Sequence, residues 1–137
     1  MTSAANDKTV PAVAVTGIDH IVVLVADVER SLAFYVDRLG LAPERVDEWR
    51  RDEVFFPSVR VNDTTILDLV LGVSDGKNID HFCLVVRAVD LQAVADSGVF
   101  DVVSGPSERF GAQGQGEALY VLDPDGNVIE LRHYGET

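Results

Sequence analysis

The chain has 137 residues, with 11 Lys and Arg against 23 Asp and Glu, giving a net charge of −12 and a pI near 4.4. At 47% hydrophobic residues it can bury the core of one globular domain without staples, and its single cysteine excludes an internal disulfide. The acidic field repels a phosphate backbone, no apolar run reaches the ~20 residues of a membrane helix, and the N-terminus lacks a signal-peptide pattern. Neither nucleic acid nor membrane is therefore an expected partner, and the expected location is cytoplasmic.

Residues 1–16 read as a flexible tail, polar at first and apolar from Val10, where it can lie along a neighbouring strand. The run Ile18–Val25 is β-branched and apolar almost throughout, as in a buried strand, with His20, Val22 and Leu24 on one face. Asp27 is positioned as an N-cap for a helix over Val28–Leu39, and Gly40 ends it. The stretch Leu41–Glu48 reads as extended, with Pro43 marking an edge or bulge. Glu53–Val61 and Thr64–Leu71 read as strands joined by a turn at Asn62-Asp63, and 72–78 as a loop.

From Ile79 the same order returns. A strand over Ile79–Val86 carries His81, Cys83 and Val85 on one face, and a short helix over Val89–Ser97 turns Leu91, Val94 and Ala95 inward. Val99–Ser104 reads as a strand, Gly105–Gly116 as a glycine-rich loop, and Glu117–Leu122 as a strand. The turn 123–127 leads to a last strand, Val128–His133, with Val128, Glu130 and Arg132 on one face and Ile129 and Leu131 on the other. The expected fold is α+β: one domain over 17–137, built from two βαβββ modules, 17–72 and 78–134.

The repeat also carries chemistry. Ile18-Asp19-His20 and Ile79-Asp80-His81 open the two modules, and a carboxylate between apolar neighbours follows each His, Asp68 after 48 residues and Glu130 after 49. A lone strand His is usually only a hydrogen-bonded, half-buried residue. Two imidazoles and two carboxylates at matching places instead suit a divalent ion such as Zn, Mn, Fe, Ni or Co. The expected metal ligands are His20, Asp68, His81 and Glu130.

The segments Ile18-Asp19-His20, Phe34-Tyr35-Val36-Asp37-Arg38-Leu39-Gly40-Leu41 and Tyr120-Val121-Leu122-Asp123-Pro124-Asp125-Gly126-Asn127-Val128-Ile129-Glu130-Leu131 resemble the vicinal oxygen chelate superfamily. That superfamily includes glyoxalase I, extradiol dioxygenases, fosfomycin-resistance thiol transferases, methylmalonyl-CoA epimerase and bleomycin-resistance proteins. The resemblance implies a half-open barrel around one divalent metal, usually in a homodimer. It implies His20, His81 and Glu130 as ligands, with Asp68 as a fourth ligand or a proton-transferring base. Members usually carry Glu or Gln at that fourth position, and Asp68 is one methylene shorter.

The function this implies is a metal-dependent lyase or isomerase of the glyoxalase type, acting on a small oxygen-chelating molecule, with Glu130 and Asp68 catalytic. An Fe(II) extradiol-type dioxygenase and a non-catalytic antibiotic-binding protein are the alternatives. Cys83, Arg109 and Tyr120 are the candidates for the substrate pocket, Arg109 as an anion anchor on a mobile lid formed by 107–116. Trp49, Phe55 and Phe56 are read either as pocket wall or as core, and His133 as a surface residue.

Overall fold

A computed structural model describes residues 10–73, 76–77, 79–122 and 126–135. The chain divides into two compact units, one being His20–Phe82, the second combining Met1–Asp19 with Cys83–Thr137. Strands β1 (Val15–Val25) and β5 (Ile79–Val86) therefore each contribute residues to both. β1 starts two residues inside the stretch expected to be tail, and just before it the Ala14 carbonyl accepts the Arg87 N–H at 2.9 Å.

In the unit His20–Phe82 the strand order is β2 (Ala42–Glu44), β3 (Ser58–Asn62), β4 (Thr65–Leu71), β1. β4 runs parallel to β1, with His20 opposite Ile66 and Val22 opposite Asp68. β3 is antiparallel to β4 and sets Ser58 opposite Asp68, and β2 forms the edge. The period of two then divides β4 cleanly: Asp68 points to one face, while Leu67 and Leu69 point to the other. On that second face α1 (Val28–Leu32) and the π-helical turn Ala33–Arg38 that continues it pack Val28 and Leu32 against Val59 and Leu69. Asp27 caps α1 as expected, its side chain accepting the Arg30 N–H at 3.0 Å.

Two expectations fail in this unit. Only Ala42–Glu44 of the stretch read as extended is strand, and Val46–Arg50 is a helix, α2. Val46 and Trp49, one turn apart, both pack on the Val59/Leu69 core, and Asp47 and Glu48 sit in the first turn where the helix dipole favours them. Trp49 is thus core. Similarly, the strand expected from Glu53 starts only at Ser58, and Phe55 before it is 99% exposed.

The second unit has the order β1, β5, β8 (Val128–His133), β7 (Gly114–Leu122), β6 (Asp101–Gly111), with α3 (Leu91–Asp96) capped by Asp90, whose side chain accepts the Ala93 N–H at 3.1 Å. Leu91 and Val94 pack on Leu119, Val121 and Leu131, from β7 and β8. Here the expected loop and lid over 105–116 are overturned. β6 and β7 form one long hairpin, turning at Ala112-Gln113. Its glycines are there for close approach: a Cβ on Gly116 would lie 2.7 Å from the His133 carbonyl, and one on Gly111 would lie 2.1 Å from Arg132 Nη1. Residues 123–125 of the expected turn, part of the 72–78 loop, and 1–9 of the tail fall outside the described residues.

Both units are α+β, dominated by sheet, and open at the edge strands β2 and β6, in agreement with the expected fold class. Among the described residues no helix is long and apolar enough to cross a membrane.

Candidate metal centre

Three of the four expected ligands lie in the unit His20–Phe82. His20 and Asp68 are each only 2% exposed, with His20 Nε2 3.9 Å from Asp68 Oδ2. That separation is too long for a hydrogen bond. Two ligands each about 2.1 Å from one ion can be at most ~4.2 Å apart, so the pair lies within the span of a shared divalent cation. The His81 ring stands edge-on to the His20 ring, with centroids 5.5 Å apart at 82°.

Two of these three residues are oriented by a neighbour. The Ser58 hydroxyl, opposite Asp68 in the β3–β4 ladder, donates to Asp68 Oδ1 at 2.5 Å, so Oδ2 is the oxygen that faces His20. Asp80 Oδ2 lies 2.8 Å from His81 Nδ1, the carboxylate partner that metal-binding imidazoles commonly keep on the nitrogen remote from the ion. Arg45 adds positive charge: burial lowers its pKa, while Asp68, Glu48 and Glu44 raise it. It is held at φ 58°, a left-handed conformation uncommon outside glycine, with its guanidinium 4.9 Å from the Phe56 ring centroid.

Glu130 belongs to the second unit, as do Cys83, Arg109 and Tyr120. Glu130 is 1% exposed, and its Oε2 accepts from Arg132 Nε at 3.0 Å and is ion-paired with Arg132 Nη2 at 2.9 Å. Tyr120 stands opposite it in the β7–β8 ladder and hydrogen-bonds to it. Burial first, and then the charge and hydrogen bond of Glu130, push the Tyr120 hydroxyl well above its ordinary pKa. Cys83 is fully buried, its thiol directed to the Leu84 carbonyl at 3.8 Å. Arg109 is exposed on β6, where its guanidinium returns to the Glu108 carbonyl at 2.8 Å. His133 is a correction: it is half-buried, and its Nε2 is 3.3 Å from Glu117 Oε1.

Sequence reasoning missed Arg132, which is fully buried and is the hub of this unit. Besides Glu130 it donates to the carbonyls of Arg109 and Phe110 at 3.2 and 3.0 Å and to the Tyr134 hydroxyl at 3.1 Å, and its Nε lies 3.9 Å from Asp19 Oδ2. Asp19, also fully buried, accepts the Ala112 N–H at 2.9 Å and the Tyr134 hydroxyl. Burial works against the Arg132 charge, but Glu130, Tyr134, Cys83 and Asp19 outweigh it and raise its pKa. The available signal was parity: Arg132 shares a strand face with Glu130, two residues away. The two Ile-Asp-His segments thus use their aspartates differently, Asp19 in this buried cluster and Asp80 on its neighbouring imidazole.

A model of the Glyoxalase/Bleomycin resistance protein/Dioxygenase superfamily matches residues 17–131. The chain belongs to this superfamily. A glyoxalase domain-containing protein of Mycosarcoma maydis is 30% identical over 126 residues, covering 88% of this chain and 69% of that one. Two solved structures of the superfamily fold are similar as well. Methylmalonyl-CoA epimerase of Streptomyces coelicolor, a single-residue variant in complex with 2-nitronate-propionyl-CoA, has a TM-score of 0.60 at 22% identity, covering 88% of this chain and 98% of that one. The Mn(II)-bound glyoxalase of Novosphingobium aromaticivorans has a TM-score of 0.59 at 24% identity, covering 88% of this chain and 40% of that one.

Proposed function

We propose that this superfamily member is a divalent-metal-dependent enzyme of the glyoxalase type, a lyase or isomerase acting on a small molecule with neighbouring oxygens. His20, His81 and Glu130 hold the ion, with Asp68 as fourth ligand or as base. The observation that carries this reading is the buried His20–Asp68 pair, separated by 3.9 Å with the His81 ring beside it. A Mn(II)-bound glyoxalase and a CoA-ester epimerase among the similar folds support it.

The ion, when bound, supplies Lewis acidity to the substrate oxygens. The chain supplies the proton transfer. Asp68 Oδ2 takes the proton from the carbon beside a substrate oxygen and returns it to the neighbouring carbon, while the Ser58 hydroxyl keeps Oδ1 engaged. Glu130 is the second carboxylate able to carry a proton in this scheme. Burial of both carboxylates strengthens their electrostatic effect on the substrate and keeps competing water away. In the same proposal the protein works in the cytoplasm as a homodimer.

Metal content of the purified chain, measured by mass spectrometry, tests the reading. About one divalent ion per chain is expected, lost in His81→Ala. Retention of the ion in Asp68→Ala with loss of proton exchange into candidate 2-oxo or 2-hydroxy compounds assigns Asp68 as base, and loss of the ion assigns it as ligand. No binding of Mn²⁺, Fe²⁺, Ni²⁺, Co²⁺ or Zn²⁺ overturns the proposal.

A further inference from the structure

We propose that Arg132 is a positioning residue that locks Glu130 into one carboxylate orientation and thereby sets how tightly the chain holds its metal. This rests on the reading of Glu130 as a ligand. A glutamate has three rotatable side-chain bonds, and ordering them on metal binding costs affinity unless they are ordered beforehand. Here they are. Two nitrogens of one guanidinium close on the same oxygen, Oε2, at 2.9 and 3.0 Å, and Tyr120 hydrogen-bonds to the same carboxylate. A carboxylate gripped through one oxygen meets an ion through the other.

The grip is firm because the guanidinium has nowhere to go. It also donates to the Arg109 and Phe110 carbonyls and the Tyr134 hydroxyl, its Cζ lies 5.3 Å from the Tyr134 ring centroid, and the small residues Gly111 and Ala118 stand against it. A lysine cannot reproduce this, since it has the charge but not the planar fork. The small residues are part of the device. On β7, Ala118 lies opposite Arg132 and Tyr120 opposite Glu130, so a small side chain gives the guanidinium its space while a large one reaches the carboxylate. Asp19, within 3.9 Å of the guanidinium, is also the residue that precedes His20 in the chain.

The test is Mn²⁺ and Zn²⁺ affinity of the full-length chain, by calorimetry with a competing chelator, for wild type, Glu130→Ala, Arg132→Lys and Tyr134→Phe, each with an apo melting curve. Arg132→Lys is expected to weaken metal binding about 10–100-fold, the usual effect of removing a group that orients a ligand. It should also broaden the electron paramagnetic resonance spectrum of bound Mn²⁺. Tyr134→Phe leaves both nitrogens on Glu130, so it should melt earlier yet bind metal within about 3-fold of wild type. Equal losses of affinity in Arg132→Lys and Tyr134→Phe would make Arg132 merely structural and overturn the proposal. So would wild-type affinity in a folded Arg132→Lys. Should Arg132→Lys not fold, infrared difference spectra of the wild type with ¹³C-labelled glutamate decide. One-oxygen coordination of the labelled carboxylate supports the proposal, and two-oxygen coordination overturns it. Undiminished binding in Glu130→Ala instead removes the premise that Glu130 is a ligand.

Discussion

Replacing Gly111 by alanine should be among the most damaging single-methyl changes in this protein. The added Cβ would lie 2.1 Å from Arg132 Nη1, 2.4 Å from the Tyr134 hydroxyl and 2.5 Å from Arg132 Cζ. Restoring an ordinary contact of 3.4 Å requires Nη1 to retreat by 1.3 Å. A long side chain at the surface would swing away at little cost, but Arg132 is fully buried and held by Glu130, two carbonyls and Tyr134. The methyl must therefore break one or more charge-assisted hydrogen bonds, worth about 1.5–3 kcal/mol each. Overpacking adds about 1–3 kcal/mol. A total of roughly 2.5–6 kcal/mol, even for one broken bond, is a large share of the 5–15 kcal/mol typical of a domain. The assay is urea denaturation, with Gly17→Ala as control, since a Cβ there meets nothing within 4 Å. The control should change stability by less than about 1 kcal/mol. Gly111→Ala within about 0.5 kcal/mol of wild type would refute the idea that the guanidinium is immobilised.

Other outcomes follow from the same packing. Ser58→Ala removes a hydrogen-bond donor from a buried carboxylate and should cost about 1–3 kcal/mol in apo protein by denaturant titration, with part regained on adding metal. Leu91→Ala empties a fully buried site under α3 and should cost about 2–5 kcal/mol, read as a lower melting temperature. Burial and the Asp19 hydrogen bond raise the pKa of Tyr134 above its usual 10.0. Its neutral form is thus favoured by folding, so its contribution is complete below pH 10 and is lost as pH rises further. The wild-type melting temperature should fall along that alkaline limb, and Tyr134→Phe should flatten the fall.

The faces of the strands were legible because strand parity is a local rule. It set His20 and Asp68 against the apolar residues beside them, and it separated Glu130 from Ile129 and Leu131, without any knowledge of what those faces meet. Asp27 and Gly40 marked the limits of the first helix for equally local reasons. What failed depended on distant partners. Gly111 and Gly116 suggested a loop, yet they are small because Arg132, Tyr134 and the His133 backbone press on them from about twenty residues further along the chain. Arg132 drew no attention because an arginine near a strand end ordinarily reaches solvent. Its burial is compensated partly by Asp19, over a hundred residues earlier, a pairing that no periodicity announces.

The division of the chain has a consequence in time. His20–Phe82 is one unbroken segment, so a growing chain carries everything this unit needs once Phe82 has emerged. The second unit cannot close then, because residues up to Asp19 must wait for those after Cys83. Asp19 meets Ala112 across 93 positions of sequence and Tyr134 across 115. Contacts over such separations carry the largest loop-closure cost and form late. Vectorial synthesis therefore predicts an ordered birth: the half bearing both imidazoles is ready first, and the half bearing Glu130 matures only when the latest-made strand reaches back to the earliest. A ribosome stalled once Phe82 has cleared its exit tunnel should display a protease-resistant His20–Phe82 segment, with the residues on either side of it still open to attack.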